Sequence, residues 1–436
     1  MKTPVFLLLC LFSTCVYAQW DCPSRIGGSL KPLSGLSDNF TWATELITST
    51  GYAGDLGISN AMSLVALDYS TNHITVYVEG GLKGWTRYGS DGYVNSGHSF
   101  GLREGFIQYR GNNQLLNLGL CSTKGDDPYL LNERVLGMNY QLELGSLRLH
   151  AITGTVQKQF ARNGNFCTVG YLYNIVSGRE RALLGDALGE TSLALLTLTY
   201  KPCSANHPSD EFTTMETNES NGQSPKNSRL FKATQYGALL YHEYGSLISQ
   251  QALFSGLFAQ TELAGVIIKP EIILQSATSN QLLIWNLTLE KQYRWSNNQQ
   301  TKFFGRYIGT VSIDSSASVL NSFSNVFAGE VLRLDALELP LLQVGIRHSV
   351  PRFKCSVKLQ AALQTGQTGG YMYDPWGTEP TVDRMQEYDL IITKNIGDHW
   401  LLNAYAGYLI YPKMVLAYQY ETVHTPWGKL EIRFTF

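Results

Sequence analysis

The sequence predicts an all-β chain closed as a transmembrane antiparallel up-and-down β-barrel of about 18 strands, on the order of 16–20. Three observations predict it. Apolar and polar residues alternate with a period of two in one segment after another, down to the last residue. After an export signal, no stretch reaches the 18 or more apolar residues of a spanning helix. Charged residues make up 16% of the chain and aromatic residues 12%, whereas ordinary soluble proteins carry about 25% charge. Low charge with abundant Tyr and Trp suits a wall that faces lipid between two aromatic margins.

Met1–Ala18 reads as a cleaved signal peptide: Lys2, an apolar run from Val5 to Phe12, then Val16-Tyr17-Ala18 as the cleavage pattern. Cys15 and Cys22 have poor flanks for lipidation. Residues 19–38 lack a period and read as an N-terminal arm or plug; residues 39–436 form the barrel. Met62–Tyr69 and Ile74–Lys83 make a hairpin through Ser70-Thr71-Asn72-His73. Residues 86–97 read as a Gly-rich loop. Gly101–Arg110 and Leu115–Thr123 follow, joined by Gly111-Asn112-Asn113. Met138–Leu144 turns at Gly145-Ser146 into Leu147–Ala151.

Asn165–Asn174 and Thr191–Tyr200 read as strands, with room for one short helix in Ser177–Gly189. Pro202–Ser228 is a long polar loop, which in a barrel belongs on the outer side of the membrane; Tyr411-Pro412-Lys413 reads as a turn at the opposite, short-turn end. Further strands are expected near 231–244, 252–263, 266–276, 281–294, 301–313, 326–337, 342–350, 354–365, 387–394, 399–411 and 414–423. Gly366–Gln386 is a second long loop. No internal repeat or linker divides the chain.

The last strand, Lys429–Phe436, sets Leu430, Ile432, Phe434 and Phe436 on one face and Lys429, Glu431, Arg433 and Thr435 on the other. A soluble sandwich also alternates. Long apolar rows, strand glycines such as Gly80, Gly119 and Gly407, and an aromatic carboxy-terminus favour the barrel. The final strand resembles the C-terminal signal of Gram-negative outer-membrane β-barrels, with Phe434 and Phe436 at the signal positions. That resemblance implies the barrel-assembly machinery as a partner, and outer-membrane lipid and lipopolysaccharide as surroundings. Leu102-Arg103-Glu104-Gly105-Phe106-Ile107, with the hairpin into Leu115–Thr123, resembles the early strands of porins and, weakly, of alginate-export-type channels.

A barrel of this size encloses water, and charges lining it set selectivity. The expected pore-lining residues are Glu79, Lys83, Glu143, Arg148, Arg347, Lys358, Gln360 and Arg433. The expected function is a porin-like channel for passive or substrate-selective diffusion of small solutes. The alternatives are a plugged barrel serving in assembly or docking, and a soluble exported β protein.

No catalytic, cofactor or metal residues are expected. The eight His show no paired ligand spacing, and no nucleophile elbow, P-loop or dinucleotide motif occurs. His242 and Glu243 point to opposite strand faces and make no dyad. Five scattered Cys follow the signal, without a zinc pattern. Asp126-Asp127 and the acids Asp210, Glu211, Glu216 and Glu219 lack an ordered Ca²⁺-loop pattern. A net charge of −2 provides no basic footprint for nucleic acid.

Overall fold

The computed structural model describes residues 31–32, 39–54, 56–89, 92, 94–124, 131–156, 191–201, 231–245, 252–277, 281–295, 297–312, 340–364, 386–416 and 419–435. The signal peptide, most of 19–38, the strands expected at 165–174 and 326–337, the helix at 177–189, the interiors of the two long polar loops, the two acidic clusters, Cys22, Cys167, Cys203 and Phe436 lie outside the described residues.

A two-residue strand, β1 (Lys31–Pro32), precedes eighteen long ones. They are β2 (Phe40–Ala53), β3 (Leu56–Ser70), β4 (Ile74–Gly89), β5 (Val94–Arg110), β6 (Gln114–Lys124), β7 (Asn132–Leu144), β8 (Leu147–Val156), β9 (Thr191–Tyr200) and β10 (Phe231–Gly245). The second half holds β11 (Ala252–Leu263), β12 (Val266–Ala277), β13 (Gln281–Arg294), β14 (Gln300–Ser312), β15 (Leu341–Val350), β16 (Cys355–Gln364), β17 (Gln386–Ile396), β18 (Trp400–Leu416) and β19 (Gln419–Thr435). Every strand from β2 to β19 pairs antiparallel with its sequence neighbours, and β19 closes onto β2 from Trp427↔Ala53 to Thr435↔Glu45. Closure removes the open edge that hydrocarbon would not tolerate.

The side chains are arranged inside out relative to a soluble sandwich. Leu46, Val65, Leu67, Leu82, Leu196, Leu240, Leu257, Ile272 and Leu359 are exposed on the outer wall, while Glu45, Glu79, Glu104, Glu243, Glu387 and Glu431 are buried on the inner one. On three outer strands an aromatic residue near one end is matched by another eight positions on: Tyr236 and Tyr244, Trp285 and Tyr293, Trp400 and Tyr408. Between the paired rings the outer face is mainly aliphatic, with His242 stacked on Tyr244 and Lys291 over Tyr293 at the margin, where interfacial aromatics and long cations sit. The architecture is that of a membrane-spanning β-barrel.

The start of β2, the end of β19 and the short turns at 71–73, 111–113, 145–146, 264–265, 351–354 and 397–399 share one end of the barrel. The connections 157–190, 313–340 and 365–385 leave the other end. β8 and β9 pair directly, from Leu147↔Tyr200 to Val156↔Thr191. Lys201 donates its backbone N–H to Ser146 O (2.8 Å), so β9 ends at the short-turn end. The polar segment expected at Pro202–Ser228 lies outside the described residues.

Two boundaries differ. Tyr411-Pro412-Lys413 lies inside β18, paired with Val423-Thr422-Glu421, and the pairing continues to Leu416↔Gln419. Prolines read as breaks because they cannot donate to a ladder. Here β17 ends its pairing at Ile410 and β2 ends at Ala53, so Pro412 and Pro426 sit in or at the foot of a projecting two-stranded ribbon. The Gly-rich loop expected at 86–97 is strand at both ends, because β4 and β5 pair as far as Tyr88↔Val94. Gly97 is needed there: a Cβ on it would sit 2.5 Å from the Trp85 ring.

A β-bulge separates Glu79↔Glu104 from Gly80↔Leu102, leaving Arg103 as the extra residue. The bulge turns both Arg103 and Glu104 inward, where Arg103 is fully buried and bonds Glu79. Gly80 permits this bend, since a Cβ would lie 2.6 Å from Gly101 O.

Candidate functional site: the luminal wall

The register assigns the inner face strand by strand. On β13 to β16 it carries Asn286, Thr288 and Glu290; Lys302, Phe304 and Arg306; Gln343 and Arg347; and Lys358 and Gln360. Lys302 is the register partner of Arg347, and Arg347 that of Lys358. Three cations therefore stand abreast on three adjacent strands. Arg306 is two positions along β14, beside Gln343. Together with Thr288, Glu290, Phe304 and Gly305 these residues line a recess of about 260 Å³.

Glu290 accepts from Lys302 (3.1 Å) and Lys269 (3.5 Å). Lys358 Nζ lies 6.0 Å from the centre of the Phe304 ring. Like charges directly opposite on neighbouring strands repel and destabilise the sheet. A wall that keeps three in a row holds a positive potential focused by the low-dielectric barrel around it.

The other expected pore-lining residues fall in separate places. Glu79 is fully buried and takes bonds from Arg103 and Tyr77. Glu143 is the register partner of Arg148, whose Nη2 donates to Gln141 (2.9 Å). Gln360 donates to Asp389 (2.8 Å). Arg433 donates to Glu431 at the seam. Lys83 lies in β4, with its side chain outside the described residues. Two pairs of the expected residues are therefore register partners, Glu143 with Arg148 and Arg347 with Lys358, and only the second belongs to the recess.

Sequence reasoning missed Lys302, Arg306 and Glu290. The signal that hid them is Phe303-Phe304, which breaks the apolar–polar alternation: Phe303 faces outward and Phe304 lines the recess.

The seam has its own charge cluster. Glu431 is fully buried and accepts from Lys429 Nζ (3.0 Å), Asn403 Nδ2 (3.0 Å) and Arg433 Nε. Lys429 also lies 4.5 Å over the Tyr405 ring. On the outer face, Phe434 packs on Trp400 with ring centres 4.5 Å apart. Among the described residues no three His, Cys, Asp or Glu side chains converge as a metal site, and Cys121 and Cys355 are not disulfide-bonded.

No family model matches the chain, and no curated relative matches it. Solved structures do. The chain is similar to Pseudomonas aeruginosa OccK5 (OpdH) at 8% identity and a TM-score of 0.49, over 92% of this chain and 99% of that one. It is similar to Acinetobacter baumannii OccAB4 at 8% identity and a TM-score of 0.48, over 93% and 100%. It is also similar to Pseudomonas aeruginosa OprD at 10% identity and a TM-score of 0.47, over 94% and 97%. At these values no residue correspondence follows.

Proposed function

We propose that the protein is an outer-membrane channel that admits small solutes and favours anions. The barrel supplies the passage: eighteen strands leave room for water inside. The lateral row Lys302, Arg347 and Lys358 carries the preference. A diffusing carboxylate or phosphate that enters the recess relieves the repulsion among these cations, while a cation adds to it. Arginine and lysine side by side offer both bidentate and point-charge contacts to such groups. Export through a cleaved signal and recognition of the last strand by the barrel-assembly machinery belong to the same reading, supported by Val16-Tyr17-Ala18 and by the outward Phe434.

The test is a reversal potential. Purified protein in a planar bilayer under a tenfold KCl gradient is expected to conduct with chloride favoured over potassium. R347E with K358E is expected to abolish or invert that preference while the channel still opens. Cation selectivity in the unaltered protein, or silence, would overturn the proposal.

A further inference from the structure

We infer that the basic recess is a site for a short linear polyanion, entered from the short-turn mouth of the barrel. The inference takes the recess as an anion site, as in the proposed function, and adds what it holds and from which side.

The cation row stands close to that mouth. Lys302 is two residues from Gln300, the start of β14; Arg347 is three from Val350, the end of β15; Lys358 is three from Cys355, the start of β16. Two to three residues, each rising about 3.3 Å on a strand tilted near 40°, amount to about 5–8 Å along the barrel axis.

Exposure of the inner wall shows the way in. Along β14 it falls from 42% at Lys302 to 9% at Arg306 and 2% at Ile308. β13 runs from the exposed Arg294 and Gln292 to the buried Asn286, and β15 from the exposed Arg347 to the buried Leu341. β16 runs from the half-buried Lys358 to the buried Gln360. Other strands differ: the inner wall is buried almost to its short-turn end at Ala43 on β2, Asp68 on β3 and Thr199 on β9. Solvent therefore reaches the row along β13 to β16 from the short turns, and an ion follows the same route.

The chemistry favours a ligand with several charges. The row spans about 10 Å, three strands at roughly 4.8 Å spacing. Two positions toward the mouth, Arg294, Gln300, Ser349 and Ser356 stand abreast by register. They add a fourth cation and a set of amide and hydroxyl donors. A chloride ion relieves the repulsion within the row at one point. A chain of phosphoryl or carboxylate groups meets all three cations at once, each contact charge-assisted.

The probe is inorganic tripolyphosphate, added to one side of a planar bilayer at a time. Biotin on Asn112→Cys, in a chain whose other cysteines are Ser, marks the short-turn side by streptavidin. Block from that side is expected at a concentration at least tenfold lower than from the other. Its voltage dependence is expected to be weak, since the blocker crosses roughly a quarter or less of a core about 30 Å thick. R347E with K358E is expected to raise the blocking concentration at least tenfold. A readout free of current is Ser349→Cys, with the native cysteines as Ser, in folded detergent-extracted protein. Tripolyphosphate is expected to slow its maleimide reaction at least tenfold, and R347E with K358E to remove that protection. Equal block from both sides, tighter block from the far side, or an unprotected Ser349→Cys would overturn the inference. Protection in a protein that is silent, or that conducts without preferring chloride, would support the site and refute the permeation preference alone.

Discussion

Replacing Glu431 with Gln tests whether the luminal charge cluster holds the closing seam. The carboxylate is fully buried between Lys429, 5% exposed at its side chain, and Arg433, 18% exposed. Removing its charge leaves two nearly desolvated cations facing each other across one strand. Breaking a buried pair in this way costs about 3–5 kcal/mol. Because both cations belong to one cluster, the lower end applies: about 3 kcal/mol, roughly two orders of magnitude in the unfolding equilibrium. The assay is urea unfolding from lipid vesicles, followed by tryptophan fluorescence and by the heat-modifiable gel shift. The triple replacement K429M, E431L, R433M removes these three charges at similar volume, leaving the nearby buried Glu45, and is expected to cost less than the single change, because apolar replacement of a buried group of charges is often neutral. A Glu431→Gln variant as stable as native protein, or a triple variant worse than the single one, would refute the reasoning.

Leu257, at the middle of the outer face of β11, is 68% exposed; Leu257→Arg should cost about 2–4 kcal/mol in the same assay, whereas Lys358→Leu on the inner wall should cost less and act on selectivity. Gly119 holds φ +126, and its Cβ would press on Gly105 O, so Gly119→Ala should destabilise by about 1–3 kcal/mol. Phe434→Ala removes the stack on Trp400; it should slow assembly into vesicles measurably and leave conductance per channel unchanged, read by gel-shift kinetics and single-channel recording.

Alternation bounded by turn residues was enough to read β9, β11 and β13 to the residue, because each crosses the wall without a proline or bulge. Where a second rule intervenes, alternation misleads. Pro412 and Pro426 look like breaks unless one knows that the neighbouring strands have already ended. Arg103-Glu104 reads as one residue in and one out, yet a register slip turns both inward. The recess shows the same divide. Arg347 and Lys358 lie on cleanly alternating strands, while Lys302 and Arg306 flank adjacent aromatics. That Lys302, Arg347 and Lys358 stand abreast depends on pairing register across β14 to β16, which no single strand encodes.

The eight-residue spacing of Tyr236–Tyr244, Trp285–Tyr293 and Trp400–Tyr408 has a consequence for the lipid. Eight residues measure about 26 Å along a strand, and a tilt near 40° shortens that to about 20 Å along the membrane normal. An ordinary hydrocarbon core is about 30 Å thick. Lipid beside these three strands has to compress if both rings of a pair are to sit at its margins, and such mismatch carries a modest cost for each ångström. Insertion should therefore be faster into bilayers of ten- to twelve-carbon chains than into those of eighteen.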